Sequence, residues 1–150
     1  MADTSKDVTL KNFLAGRVSK QAVADFIVAR MKEQRRGSAK FYDEEGYRDE
    51  VEMCLYRGPE GAKCAVGHLI PDRQYRKGMD ADSGLPVEQL MLEYFPAYSE
   101  DTDKLYFLKH LQMAHDGAAS EFDDEFVDEF IRRVTSVYHN HKLDMTTLSK

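Results

Sequence analysis

The chain has 150 residues and a mass of 17.2 kDa, with 42% hydrophobic and 32% charged residues. Those proportions exclude a disordered chain, which lacks core-forming residues, and a collagen-like or disulfide-dense scaffold; the length suits one domain spanning 1–150. Twenty-seven Asp and Glu against 21 Lys and Arg leave a net charge of −6 and a pI near 5.4, which argues against steering of the whole molecule to nucleic acid.

The charge is unevenly placed. Residues 1–77 carry 15 basic and 12 acidic side chains, whereas residues 78–150 carry 6 basic and 15 acidic ones. Between Asp80 and Glu129, 14 acids meet only Lys104 and Lys109. The expected result is an anionic face, read either as a solvated surface that keeps the protein soluble or as a field that steers a partner. No apolar run approaches the roughly 20 residues that span a bilayer. The polar start, MADTSKDVTL, lacks the apolar core of a secretory signal. The expected compartment is therefore the cytoplasm, with Cys54 and Cys64 as reduced thiols.

In chain order, Leu10, Phe13 and Leu14 share one face of a short helix over 8–17, after a tail at 1–7 expected to fray. Ser19 reads as the N-cap of an amphipathic helix carrying Val23, Phe26, Ile27 and Met31. That helix ends in Arg30, Lys32, Arg35 and Arg36 before Gly37, where cations complement the macrodipole or meet a phosphate or acidic partner. Residues 37–52 read as a loop. The segment Met53–Ile70, MCLYRGPEGAKCAVGHLI, has apolar flanks around the turn chemistry of RGPEG and reads as a β-hairpin. Gly67 within its second arm predicts a bulge or a close backbone approach.

Asp72 reads as the cap of a short turn containing Tyr75, and residues 78–85 as a loop. Pro86 opens a helix carrying Leu90, Met91 and Tyr94, which Pro96 ends. Thr102 is the expected N-cap of a helix with Leu105, Leu108, Leu111 and His115 along one stripe, stopped near Gly117. Ser120 and Asp123 have capping-box spacing before a long helix whose inner face is Phe122, Phe126, Phe130, Ile131, Val134 and Tyr138. Residues 143–150 are expected to fray. Helices on both sides of one central hairpin predict a helix-dominated α+β domain.

Three constellations bear on chemistry. A hairpin brings Cys54, Cys64 and His68 close together, and His110 or His115 could add a fourth ligand for zinc. The C-x9-C-x3-H spacing departs from common zinc patterns, and cysteines among apolar residues are ordinarily small buried hydrophobes. Cys64 with His115 could form a nucleophile–base pair, but CAV is not the electropositive setting a reactive thiol needs. Asp116 follows His115 directly, a spacing that does not orient an imidazole simply. The acids Asp80, Asp82 and Glu88 resemble half of a calcium loop with its glycine one place early. No phosphate loop, dinucleotide fingerprint, HExxH or GxSxG occurs. His139 and His141, two apart near a helix end, do not share a helical face.

The stretch CLYRGPEGAKCAVGHLIPDRQY, residues 54–75, resembles a segment of a family of small phage and prophage proteins. The resemblance rests on Cys54, Tyr56, Gly61, Lys63, Cys64, Ala65, Val66, Gly67, Leu69, Ile70, Pro71, Asp72 and Tyr75, with LKHLQMAHD at 108–116 as a weaker second part. It covers about 22 residues and implies a phage-type accessory protein in a bacterial cytoplasm; small proteins of that origin often bind a host enzyme or defence complex. It carries over no catalytic role.

The sequence thus predicts non-enzymatic binding and inhibition of a host or anti-phage defence protein, without a cofactor. The acidic surface for it comprises Asp80, Asp82, Glu88, Glu93, Glu100, Asp101, Asp103, Asp124, Asp128 and Glu129. The expected partner is a protein, including one that itself binds nucleic acid; neither membrane nor direct nucleic-acid binding is expected. The alternatives are a zinc-dependent hydrolase or nuclease using Cys54, Cys64, His68 and His115 with Asp116, and nucleic-acid binding at Arg30, Lys32, Arg35, Arg36 and Lys40.

Overall fold

Helix starts in this chain are set by short polar side chains that accept orphan backbone N–H groups. Thr9 accepts from Asn12 N at 3.1 Å and opens α1, Leu10–Leu14. Ser19 accepts from Ala22 N at 3.1 Å and opens α2, Lys20–Gln34, as its position predicts. The chain is known from a computed structural model that describes residues 7–41, 51–58, 61–83 and 85–149, with backbone only at 39–41, 51–54 and 81–83.

Beyond α2 come two short strands, β1 (Ala39–Phe41) and β2 (Val51–Cys54), paired antiparallel with an irregularity after Lys40. Then follow α3 (Val87–Tyr94), α4 (Thr102–Ala118) and α5 (Asp123–Asn140), with 3-10 turns at Val66–Leu69, Lys77–Ser83, Pro96–Tyr98 and Thr146–Ser149. Helices α4 and α5 pack along each other, and α2 lies against α5 and against the turn at Val66–Leu69. Between them sit Ile27, Met31, Leu69, Phe107, Leu111, Phe126, Phe130 and Tyr138, all buried. Phe13 and Phe107 join α1 to this core with ring centroids 5.5 Å apart. None of the described helices is long and apolar enough to cross a membrane.

The domain is helical, which corrects the expected α+β class, and among the described residues the expected hairpin over Met53–Ile70 does not form. Its second arm is a helical turn instead. Ala65, Val66, Gly67, Leu69 and Ile70 are all buried, and continuous burial distinguishes a wedged turn from a half-solvated strand. The backbone groups a strand partner would satisfy find other partners. Val66 N donates to Gln112 Oε1 at 3.1 Å, Gly67 N to Cys64 Sγ at 3.3 Å and His68 N to Cys64 O at 3.1 Å. The described strand pairing lies earlier, β2 meeting β1 in the region expected as a loop.

Smaller differences have similar causes. Asp101, not Thr102, caps α4 by accepting from Lys104 N at 3.2 Å. The Ser120–Asp123 capping box is absent, because Asp123 N donates to Arg35 O at 2.8 Å and Arg36 bridges to Phe122. The end of α2 thus fixes the start of α5, with Arg35 left-handed at φ 61°. This leaves Phe122, expected on the inner face, 42% exposed. At the other terminus Thr146–Ser149, in the stretch expected to fray, winds into a turn held against α2. Gln21 exchanges two 2.8 Å hydrogen bonds with the Asp144 backbone, and Lys32 Nζ donates to Thr147 O at 3.2 Å.

Candidate functional site

The segment 54–75 is held by two charged side chains that face backbone rather than solvent. Asp80, from the turn Lys77–Ser83, accepts from Tyr56 N at 2.7 Å, from Arg57 N at 3.1 Å and from the Tyr75 hydroxyl at 2.6 Å. Arg57 reaches the other way. It donates to Gly67 O at 3.1 Å and Ile70 O at 2.5 Å, pairs with Asp72 at 3.1 Å and lies over the Tyr75 ring. The Tyr56 hydroxyl completes the clasp by donating to Leu85 O at 2.6 Å. Gly67 makes a close backbone approach, the second of its two expected roles: a Cβ there would lie 2.5 Å from Tyr56 O.

The residues expected to carry chemistry are built into this packing. Cys64 is fully buried and burial pushes its thiol up to about 12, far from a thiolate at neutral pH. His68 is held down to about 3, chiefly by burial and then by the cations Lys63, Arg30 and Arg57 and by His115; its Nε2 has no hydrogen-bond partner among the described residues. His115 is completely buried. Its Nε2 accepts from Ser38 N at 2.8 Å, which places the proton on Nδ1, 2.9 Å from Asp116 Oδ1. The neighbouring carboxylate therefore does orient the imidazole, contrary to the expectation from adjacency. The Cys54 side chain lies outside the described residues, and among those described no three His, Cys, Asp or Glu side chains converge as metal ligands.

The acidic residues divide by environment. Asp80 belongs to the clasp, and the Asp82 side chain lies outside the described residues. Glu88 is held below the usual carboxylate range by Lys109 at 2.6 Å, and Asp103 by Lys20 at 2.9 Å. Arg132 and then Arg133 do the same to Glu129. Asp124 pairs with Arg35, Asp101 caps α4, and Glu93 accepts from Gln89. Glu100 and Asp128 are exposed. At the start of α5, Asp123, Asp124, Glu125 and Asp128 are all exposed, as is Phe122 before them, Asp124 while paired with Arg35.

Several contributors escaped the sequence reading. Gln34 brackets Lys63 as a strand would, accepting from Lys63 N and donating to Lys63 O, both at 2.9 Å. His110 Nδ1 meets His141 Nε2 at 3.2 Å, and Lys20 Nζ lies 3.4 Å from His141 Nδ1. Burial and then the nearby Lys20 lower the His141 pKa. Only a fold that brings α2, α4 and the end of α5 together joins these three residues, and no local spacing signals it. No family model, curated protein or solved structure matches the chain.

Proposed function

We propose that the chain is a phage-type accessory protein of the bacterial cytoplasm that binds and inhibits a host or anti-phage defence protein without making or breaking bonds. The observation that carries this reading is the contrast between two sets of polar groups. Cys64, His115, Asp80 and Arg57 face inward, toward backbone and core. Asp123, Asp124, Glu125 and Asp128, in the first two turns of α5, are exposed and follow the exposed Phe122 in the chain. An exposed aromatic residue next in sequence to exposed carboxylates suits a basic protein surface, such as a nucleic-acid channel, because the charge accelerates encounter and the ring supplies apolar contact. The likeness of residues 54–75 to phage proteins supports the source.

The test is capture from bacterial lysate at low and high salt, with the wild type beside a variant carrying Asp123→Asn, Asp124→Asn, Glu125→Gln and Asp128→Asn. The expected result is a basic protein retained at low salt by the wild type and reduced at least tenfold in the variant. Equal capture by both, or no partner at either salt, overturns the reading.

A further inference from the structure

Side chains far apart in sequence form one polar chain across α2, α4 and the end of α5. Lys20 Nζ lies 3.4 Å from His141 Nδ1, and His141 Nε2 lies 3.2 Å from His110 Nδ1. On its other side Lys20 is anchored by Asp103 at 2.9 Å. Aromatic rings hold the pair in place: Phe107 meets His141 edge-on with centroids 5.0 Å apart, and Tyr106 stacks on His110 at 6.5 Å. Neither imidazole belongs to a metal-binding cluster among the described residues.

The direction of each hydrogen bond follows from what each group can do. An ammonium only donates, so His141 Nδ1 accepts and the ring carries its proton on Nε2. That nitrogen donates to His110 Nδ1, which leaves the His110 proton on Nε2. The arrangement holds only while both rings are neutral. A proton added to His141 sets N–H against the Lys20 ammonium, and one added to His110 sets N–H against N–H. Either way one link is broken. Burial, then Lys20 from α2 and His110 from α4, hold His141 below its ordinary value of 6.5, against the pull of Asp103. Beside His110, Arg132 and Arg133 of α5 line the same groove, each paired with Glu129.

His141 is also where α5 ends. Its N donates to Val137 O at 3.0 Å, Lys142 turns left-handed at φ 58°, and Leu143 N donates back to Tyr138 O at 2.8 Å. Residues 143–149 then run against α2, with Leu143 and Leu148 packed on the core and Asp144 N donating to Gln21 Oε1 at 2.8 Å. We propose that the histidine pair is an acid-sensitive latch, which fastens this C-terminal strap at neutral pH and loosens it when either ring takes up a proton. The unfolded chain binds that proton more readily than the fold, so attachment is complete above about pH 6.5 and weakens as pH falls below it. Other charged contacts of the strap include Lys32 Nζ to Thr147 O and Thr146 N to Asp144 Oδ1, but histidine is the side chain that ordinarily changes charge between pH 8 and 5.

Amide hydrogen exchange of the full chain at pH 7.5 and 5.5, corrected for intrinsic rates, tests the latch. Protection of the Leu143, Asp144 and Leu148 amides should fall at least fivefold more than that of the core amides of Leu111 and Phe130. The double variant His110→Gln/His141→Gln keeps donors and acceptors but takes up no proton, and the strap's excess loss should shrink below twofold. His68→Gln, which lies outside the latch, should leave that excess intact. Proton NMR titration of the wild type gives a second reading, in which a Leu148 methyl signal should follow the midpoint of the His110 or His141 ring. Equal loss of protection in strap and core, an undiminished excess in the double variant, or a Leu148 signal that follows neither ring would each overturn the proposal. The carboxylates at the start of α5 play no part in these measurements, so they stand apart from the lysate capture.

Discussion

Cys64 and Asp80 behave oppositely although both are ionisable groups near the centre of the chain. A thiol needs no hydrogen-bond donors to be buried, so Cys64 acts as a small hydrophobe whose sulfur accepts Gly67 N. With its pKa pushed up to about 12, alkylation of native protein with iodoacetamide at pH 8 should leave Cys64 unmodified, and unfolding in urea should make it react; peptide mass spectrometry separates it from Cys54. Rapid native labelling of Cys64 would contradict its burial. Asp80 keeps a carboxylate in the protein by surrounding it with donors from Tyr56, Arg57 and Tyr75. Asp80→Ala leaves two backbone N–H groups without their acceptor, at about 1–3 kcal/mol each, so a loss of about 2–4 kcal/mol is expected in urea unfolding. A loss below about 1 kcal/mol would mean that water replaces the carboxylate freely. The sequence places Asp80 in an acidic loop but gives no sign that its acceptors face backbone 24 residues away.

At the scale of elements, the helices were legible and the central segment was not. Ser19, Pro86 and the apolar stripes of α2, α4 and α5 act locally, through caps and periodicity that need no knowledge of the rest of the fold. The stretch Lys63–Ile70 is apolar without a period, and such a run reads equally as strand or buried turn. What decides it is the supply of partners from elsewhere, Gln34 from α2 and Gln112 from α4, neither of which lies near this stretch in sequence. The misplaced start of α5 has the same origin, since Arg35 O competes for Asp123 N. Gly67 is the exception, because a glycine inside an apolar run signals close approach by itself. Gly67→Ala places a methyl group against the Tyr56 carbonyl, backbone that cannot swing aside. Forced overpacking of this kind costs about 1–3 kcal/mol, and the melting temperature should fall accordingly; an unchanged value would show that the segment can shift as a unit.

For the whole molecule, the division into a basic first half and an acidic second half is partly cancelled by folding. Lys20 of α2 meets Asp103 of α4, and Arg35 at the end of α2 meets Asp124 of α5. Exposed pairs of this kind contribute only about 0–1 kcal/mol, so they shape the surface field more than they hold the fold. A larger pH-dependent effect on stability comes from half-buried His68, whose surroundings penalise its charged form. Its folded pKa of about 3 lies below the ordinary 6.5, so the unfolded chain takes up its proton first as pH falls. Stability from this group is complete above about pH 6.5 and is lost progressively down to about pH 3. The lowered pKa of His141 acts in the same direction. The depressed carboxylates Glu88, Asp103 and Glu129 also lose their contributions as pH falls, but only in the carboxylate range around pH 4 and below. Between pH 6.5 and 5 the histidines therefore dominate, and His68 alone should remove about 1.5 kcal/mol over that interval. Urea unfolding of wild type and His68→Gln at both pH values isolates the effect: the wild type should lose at least that much more stability than the variant. Equal slopes in the two proteins would mean that His68 is protonated as readily in the fold as in the open chain, and that its surroundings admit the charge.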